Sequence, residues 1–179
     1  MTELRKLNLR ETVERDGMLC YAEFSPGTRY RYLLKRIWNG ELARIVFVML
    51  NPSTADAMKD DPTIRRCIAF AKSWGYGGIS VVNLFGYRSR NPYVLKDIVD
   101  PIGPMNDYIL REEIRKRNTS LKVVCAWGNH GDINGRGEHI RSVIECEGRY
   151  PSYLKLTKQG QPWHPLYMKG DATPTHWRR

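Results

Sequence analysis

Runs of apolar residues alternate along the chain with polar segments rich in glycine and proline. Residues 45–50 form one such run of six, and four of its members are β-branched or aromatic. A run of this kind predicts a strand buried on both faces, as in a parallel sheet. Residues 79–85 and 121–127 are similar and predict two more buried strands, the first interrupted by Asn83 near its end.

Helical spacing of apolar residues follows each of these strands. The first helix begins at Asp61-Pro62-Thr63, since Asp is a good N-cap and Pro fits the first helical position, and Gly75 marks its end. Its predicted inward face consists of Ile64, Cys67, Ile68, Ala71 and Trp74. Two further helices are predicted, over residues 106–117 with Asn106-Asp107 as cap and over residues 137–146.

The N-terminal part has the pattern of a β-hairpin. Two apolar-aromatic runs, 18–24 and 30–38, flank a Ser-Pro-Gly-Thr turn. Basic residues alternate with aromatic ones in the second run, which favours a solvated face backed by packed rings. These basic residues are Arg29, Arg31, Lys35 and Arg36. Near the C-terminus, residues 153–157 predict an edge strand.

The order β-β-β-α-β-α-β-α-β predicts an α/β fold with a mostly parallel central sheet, helices on both faces and an antiparallel N-terminal addition. A single domain over residues 1–179 is expected. It divides into an N-terminal hairpin extension (1–44), an α/β core (45–168) and an irregular tail (169–179).

Composition and charge indicate which class of partner to expect. The 179 residues carry a formal net charge of +10, and a basic surface attracts polyanions, so nucleic acid or a nucleotide is the expected partner. No run is long enough to span a bilayer and no signal-peptide core is visible. The four cysteines are widely spaced and indicate buried free thiols in a reducing compartment, which makes the cytoplasm the expected location. The sequence does not determine the oligomeric state.

Polar residues follow the apolar strands and predict a site, because the ends of parallel strands meet at one edge of a sheet. These residues are Asn51, Ser53, Asp56, Asn83, Arg88, Asn91, Trp127, Gly128, His164 and Tyr167. Arg65 and Arg66 of the first helix and Arg90 of the loop after residue 85 are candidates for contacts with nucleic acid. Asp61 is more simply a helix cap than a catalytic acid. No phosphate-binding loop, nucleophile elbow or zinc-ligand spacing occurs, so no cofactor and no metal are predicted.

Several of these segments together resemble an uncharacterised bacterial and phage family, family 1643 of the domains of unknown function. The resemblance covers roughly residues 25–170. It is carried by Leu50-Asn-Pro-Ser-Thr-Ala-Asp56, Asp61-Pro-Thr-Ile-Arg-Arg66, Val82-Asn-Leu-Phe-Gly-Tyr-Arg88, Ala126-Trp-Gly128 and His164-Pro-Leu-Tyr167.

A more distant resemblance links the chain to the uracil-DNA glycosylase superfamily. Leu50-Asn51-Pro52-Ser53 is similar to its first motif and His164-Pro165 to its last. The resemblance implies a three-layer sandwich fold. It implies also that Asn51, with Asp56 as the alternative, holds a water molecule, that Asn83 reads a flipped base, and that His164 stabilises charge on the departing base. Arg88 and Arg90 are then expected to hold phosphate.

Three hypotheses follow. The first is an enzyme that hydrolyses the N-glycosidic bond of a base in nucleic acid, DNA before RNA, or in a nucleotide. The second is a binding module that uses the same pocket without chemistry. The third is another nucleotide-modifying enzyme in which Asp56 and Asp61 hold Mg²⁺.

Overall fold

A computed structural model describes residues 2–178, which form one eight-stranded sheet with helices on both faces. The strands are β1 (Leu9–Arg15), β2 (Met18–Phe24), β3 (Arg31–Ile37), β4 (Arg44–Met49), β5 (Gly78–Asn83), β6 (Thr119–Cys125), β7 (Tyr150–Tyr153) and β8 (Thr175–His176). The helices are α1 (Thr2–Lys6), α2 (Pro62–Ser73), α3 (Asn106–Arg115) and α4 (Arg136–Cys146).

The strand order within these residues is β1-β2-β3-β5-β4-β6-β7-β8. The three pairings among β5, β4, β6 and β7 are parallel, and the other four pairings are antiparallel. The mixed α/β class is therefore right, but the prediction of a mostly parallel sheet is wrong. The antiparallel pairings join β1 to β2, β2 to β3, β3 to β5 and β7 to β8, so the pairings added at both sides of the parallel core outnumber those within it.

Helices cover both faces of the sheet. On one face α2 packs Ile64, Cys67 and Phe70 against the side chains of the central strands. On the other face α3 and α4 contribute Ile109, Leu110 and Ile144 to a second core. Burial on two faces explains why the central strands are continuous apolar runs.

The order in which the chain adds parallel strands to the sheet reverses beside β4. The chain runs from β4 through α2 to β5 on one side, and β6 then pairs with the opposite edge of β4. The segments that leave β4 and β6 consequently diverge to opposite faces. A crevice at their carboxyl ends is the usual ligand site of such sheets.

The N-terminal hairpin is confirmed as β2 and β3, but β1 was not predicted. Its sequence, LRETVER, is mostly polar because this edge strand is largely exposed. A solvated basic face on β3 is wrong for two of its arginines, since Arg31 and Arg36 are 2% and 0% exposed. A β-bulge at the start of β3 contributes to this difference: Leu33 pairs with Glu23 and Arg31 with Phe24, so Tyr32 is the additional residue.

Three details of the later elements also differ from the predictions. The strand predicted over residues 153–157 is β7, over Tyr150–Tyr153, and the tail predicted to be irregular contains β8. Asn106 does not cap α3: its amide instead donates to the carbonyl oxygens of Asn83 and Leu84 at 2.9 and 3.3 Å.

The thiols are free, and Cys20, Cys67 and Cys125 are buried as predicted, whereas Cys146 is exposed. Between residues 2 and 178 no helix has the length and apolar character required to cross a membrane.

Candidate functional site: a cleft at the carboxyl ends of the parallel strands

A cleft of about 520 Å³ lies where β4, β5 and β6 end, the position expected from the reversal of strand order beside β4. Its size is within the usual range for small-molecule sites. Its polar and aromatic lining comes from Arg31, Asn51, Ser53, Asp61, Thr63, Asn83, Ser89, Arg90, Tyr93, Trp127, Asn129, His130, His164 and Tyr167, with the backbone of Gly128. Apolar residues of the sheet and of α2 complete it.

The loop between β4 and α2 forms one wall, and arginines of the N-terminal strands hold it. Arg31 donates to the carbonyl oxygen of Ala55 at 2.7 Å. Arg36 and Arg15 both bind the carboxylate of Asp60, at 2.7 and 2.6 Å. The N-terminal extension therefore fixes the shape of the cleft as well as extending the sheet.

Asn51 follows β4 directly, and its amide is oriented by the loop that follows β5. Its Nδ2 donates to the carbonyl oxygens of Ser89 at 2.9 Å, Pro52 at 3.2 Å and Tyr87 at 3.4 Å. Three carbonyl neighbours determine which end of the amide is nitrogen. Oδ1 is left as a hydrogen-bond acceptor at the cleft.

Asn83 is the last residue of β5, 1% exposed, and lies on the floor of the cleft. Neither its Oδ1 nor its Nδ2 has a hydrogen-bond partner among the described residues. Its backbone is held firmly, because its carbonyl oxygen accepts from Asn106 and the next carbonyl, of Leu84, accepts from Arg136 at 2.9 Å. An unpaired buried polar group costs about 1–3 kcal/mol, so an unpaired amide on a firmly held backbone indicates a ligand partner.

His164 caps a short 3-10 turn, Pro165–Tyr167, through Nδ1, which accepts from the backbone N–H of Leu166 at 3.4 Å. Burial lowers the pKa of His164 from 6.5, and the nearby negative charge of Asp61 opposes that change only in part. The imidazole is therefore neutral at pH 7. With Nδ1 accepting, the proton is assigned to Nε2, which becomes a donor.

Asp61 has two roles at the cleft. Its Oδ1 accepts from the backbone N–H of Ile64 at 2.9 Å, which confirms the predicted N-cap of α2. It also lines the cleft and acts electrostatically on both His164 and Arg31. The cap was predictable from the sequence, but the position of Asp61 beside the cleft depends on the path of the preceding loop.

Trp127 closes the cleft just after the end of β6, and three neighbouring residues fix the position of its ring. Its Nε1 donates to Oε1 of Gln161 at 2.9 Å, and the ring packs against Trp177 at 5.9 Å between centroids. Gly131 lies so close below it that a Cβ there would be 1.9 Å from the indole. Exposed rings stand at the mouth: Tyr93 is 65% and Tyr167 72% exposed.

Eight of the predicted site residues line the cleft: Asn51, Ser53, Asn83, Arg90, Trp127, Gly128, His164 and Tyr167. Five others are not part of its lining, and all of them have other contacts. Asp56 accepts from the backbone N–H groups of Met58 and Lys59 in a turn, and Asn91 caps the 3-10 turn at Tyr93. The predicted catalytic role of Asp56 therefore has no geometric support.

The remaining three are arginines, all engaged with the protein. Arg88 lies over the ring of Phe24 at 5.0 Å, and Arg65 donates to the carbonyl oxygen of Asp60 at 2.7 Å. Arg66 donates to the carbonyl oxygen of Met168 and lies over Phe70. Their predicted binding to nucleic acid stays a prediction.

Sequence reasoning missed Arg31, Thr63, Tyr93 and His130 as members of the cleft. Arg31 resembled surface charge because the bulge that turns it inward leaves no mark in the hydrophobic pattern. His130 immediately follows the 127–129 segment, so its position after a buried strand was a usable signal. Within residues 2–178 no three His, Cys, Asp or Glu side chains cluster closely enough to hold a metal ion.

Comparison with known proteins agrees with the motifs. None of the curated proteins matches the chain. A family model described as "Protein of unknown function (DUF1643)" matches residues 31–166, which include every residue of the cleft lining except Tyr167. This match spans well over half of the chain, and the protein therefore belongs to the DUF1643 family.

Proposed function

We propose that this protein acts on a nucleobase, in nucleic acid or in a nucleotide, and hydrolyses its N-glycosidic bond. The observation that carries the proposal is the amide of Asn83, buried and unpaired at the floor of a cleft that also contains Asn51 and His164. A primary amide offers a donor and an acceptor side by side, the complement of the hydrogen-bonding edge of a base. The distant resemblance to uracil-DNA glycosylases supports the same assignment.

The available groups fit the reaction. When the bond between C1′ and the base nitrogen breaks, its electron pair leaves with the base and positive charge develops on the sugar. Nε2–H of His164 donates to an oxygen of the base, where the negative charge collects. Oδ1 of Asn51 accepts a hydrogen bond from the water whose oxygen bonds to C1′, and a proton of that water ends on the departing base.

Access to a base in a duplex requires that the base leave the stack, which costs a few kcal/mol. The net charge of +10 attracts the phosphate backbone, and Arg90 at the rim of the cleft is a candidate phosphate contact. Tyr93 and Tyr167 are exposed at the same mouth, where aromatic rings can stack on unpaired bases.

The test is base release from oligonucleotides that contain uracil, mismatched bases or hypermodified bases, read by cleavage at the abasic site, together with release from free nucleotides. Asn83→Leu should abolish release, since the amide that holds the base is gone. Asn39→Ala is the matched control, because Asn39 is exposed in the turn that precedes β4, at the opposite end of the sheet. No release from any of these substrates contradicts the hydrolytic reaction.

One observation favours the second candidate, a module that binds a base without turnover. Asp61 is the single carboxylate in the described lining of the cleft, and one of its oxygens already caps α2. The carboxylate that would be the usual general base therefore already uses one of its two oxygens in a structural hydrogen bond. Tight binding of a base-containing ligand that requires Asn83 but not Asn51, without release, would assign the protein to this class.

A further inference from the structure

Arg31 lies in the cleft as a buried cation with no ion-pair partner. Five buried arginines stand out among the described residues: Arg31, Arg36, Arg44, Arg136 and Arg141, exposed by 2%, 0%, 7%, 6% and 7%. The last four each have a carboxylate within 4.0 Å, on Asp60, Glu113, Asp107 and Glu138 respectively. Arg31 has none in the part of the chain that the structure describes. A buried guanidinium without a counter-ion is costly unless a ligand supplies one.

The hydrogen bonds of Arg31 are also incomplete. NH1 donates to the carbonyl oxygen of Ala55 at 2.7 Å, whereas the buried Nε donates to no described group. Burial lowers the pKa of Arg31 to about 10, which keeps the side chain charged at neutral pH. Asp61 and Asp56 compensate part of this charge through space, but both lie beyond ion-pair distance.

The backbone is shaped to put this charge in the cleft. Leu33 and Leu34 pack on opposite faces of the sheet, in the α3/α4 core and the α2 core respectively. Strict alternation would place Arg31 on the same face as Leu33. The bulge at Tyr32 puts Tyr32 in the α3/α4 core and turns Arg31 to the α2 face, where it reaches Ala55 and the cleft. Bulges are frequent next to active sites because they re-aim a side chain in this way.

We infer that Arg31 binds a phosphate group of the ligand, so that the cleft accepts a nucleotide unit, base and phosphate together, in preference to a bare base or nucleoside. A guanidinium fork matches phosphate geometry and carries a permanent charge. The base half of this ligand rests on the proposed function, whereas the phosphate half rests on Arg31 alone. The phosphate has two sources, a free nucleotide or the backbone of a flipped nucleotide, and the chemistry at Arg31 is the same for both.

The experiment measures binding by the full-length chain without turnover. Inorganic phosphate, a nucleoside, its 5′-monophosphate and a short single-stranded oligonucleotide are titrated separately by calorimetry. Phosphate should bind weakly, and the phosphorylated ligands should bind at least 10-fold more tightly than the nucleoside. Arg31→Met should remove this advantage and abolish phosphate binding. Arg31→Lys, which keeps the charge but not the fork, should retain part of it.

A matched control separates phosphate binding from the support that Arg31 gives to Ala55. Arg15 holds the same loop through the carbonyl oxygen of Met58 and the carboxylate of Asp60, outside the cleft. Arg15→Gln should loosen the loop yet keep phosphate binding within about twofold. Circular dichroism and thermal unfolding identify any variant that fails to fold, and Arg31→Lys then remains as the informative one.

Each outcome decides the proposal. An Arg31-dependent advantage for the monophosphate identifies a free nucleotide as the source, and one seen only with the oligonucleotide identifies the backbone. Equal binding of nucleoside and phosphorylated ligands, or phosphate binding that survives Arg31→Met, overturns the proposal. Arg31-dependent phosphate binding without base release would leave this inference standing while the hydrolytic function failed.

Discussion

Two asparagines near the end of β5 differ in hydrogen bonding at Nδ2, although Oδ1 is unpaired in both, which allows a direct test of the role of Asn83. Its amide is unpaired in the unliganded protein, whereas Nδ2 of Asn106 donates to two backbone carbonyl oxygens. Asn83→Leu, which keeps the branched shape of the side chain, should raise the free energy of unfolding by about 1–3 kcal/mol, because an unsatisfied buried group is removed. Chemical denaturation measures it.

Asn106→Leu is the matched control for this prediction. It removes the donor that the carbonyl oxygens of Asn83 and Leu84 use, so it should lower the free energy of unfolding by about 1–3 kcal/mol. Opposite signs at two buried amides would mark Asn83 as a group kept for a ligand at a cost in stability. Destabilisation by both substitutions would show that Asn83 is a structural residue.

His164 provides a prediction about protonation at the same scale. Burial lowers the pKa of His164, so its NMR titration midpoint should lie below 6.5. Because the unfolded chain then binds the proton more readily, His164 lowers the stability of the fold as the pH falls through and below 6.5, and has no such effect above it. A midpoint at or above 6.5 would contradict the neutral donor assigned to Nε2.

Asp61→Asn sharpens the His164 test. Asparagine is also a good N-cap, so α2 should keep its start while the negative charge beside His164 disappears. Since that charge raises the pKa of His164, the titration midpoint should move further down in the variant. An unchanged midpoint would show that the two side chains do not interact across the cleft.

At the scale of elements, a buried carboxylate attaches α1 to the edge of the sheet. Glu23 on β2 is 0% exposed and accepts from Arg5, Asn8 and Tyr21. Burial raises the pKa of Glu23, but these hydrogen bonds outweigh it and lower the pKa to about 2 from 4.5. Ionised Glu23 therefore stabilises the fold above pH 4.5, by up to about 3 kcal/mol, and this contribution disappears as the pH falls towards 2.

The measurement for Glu23 is urea unfolding of the wild type and of Glu23→Gln between pH 2 and pH 6. The difference in stability between the two proteins should be largest near pH 6 and should shrink steadily below pH 4.5. Glu14→Gln removes one charge from an exposed position on β1 and is the matched control. A difference that stays constant across the range would contradict the assignment.

The segment between β6 and α4 supports Trp127 from below, which predicts a large effect of one methyl group. A Cβ on Gly131 would be 1.9 Å from the indole, so Gly131→Ala must displace the ring and break its hydrogen bond to Gln161. Overpacking of this kind costs about 1–3 kcal/mol. The indole N–H signal of Trp127 in a ¹⁵N–¹H spectrum should shift.

Gly135 in the same segment is the control. It has a positive φ of 65°, but a Cβ there would meet nothing within 4 Å. Gly135→Ala should cost only backbone strain, about 1 kcal/mol, and leave the Trp127 signal in place. Equal shifts in both variants would show that the segment moves as a whole and that Gly131 has no specific role.

The elements that were predicted well from the sequence are those with a regular pattern of buried positions. β4 is buried at every residue, and α2 has a cap, a first-position proline and a regular apolar face, so both appear within about one residue of the prediction. β1 and β8 are short or exposed edge strands that depend on a neighbouring strand more than on their own pattern. The sequence prediction began β7 at residue 153 instead of residue 150, because β7 contains Pro151 and proline is unfavourable in a strand.

The site was predictable where residues follow strands and hidden where the backbone departs from regular geometry. Asn51, Asn83 and Trp127 end or follow β4, β5 and β6, so the sheet itself brings them to one edge. Arg31 was missed because one additional residue in β3 moves the side chain that precedes it to the opposite face of the sheet. Asp56 looked catalytic because a turn-forming carboxylate and a reacting one are the same in sequence.

At the scale of the whole molecule, the net charge of +10 predicts salt-dependent binding of polyanions. The logarithm of the binding constant for a single strand should fall linearly with the logarithm of salt concentration, with a slope of about −0.7 per phosphate contacted. Many arginines are already paired inside the fold, so the slope reports only the ones that reach the ligand.

Two exposed arginines distinguish a strand that enters the cleft from one held loosely by the whole basic surface. Arg90 is exposed and lines the cleft, whereas Arg65 is exposed on α2, outside the lining, and bonded to the carbonyl oxygen of Asp60. If the strand passes through the cleft, Arg90→Gln should reduce the slope by about 0.7 and Arg65→Gln should leave it unchanged. Equal reductions would show that binding is spread over the surface and that the cleft does not guide the strand.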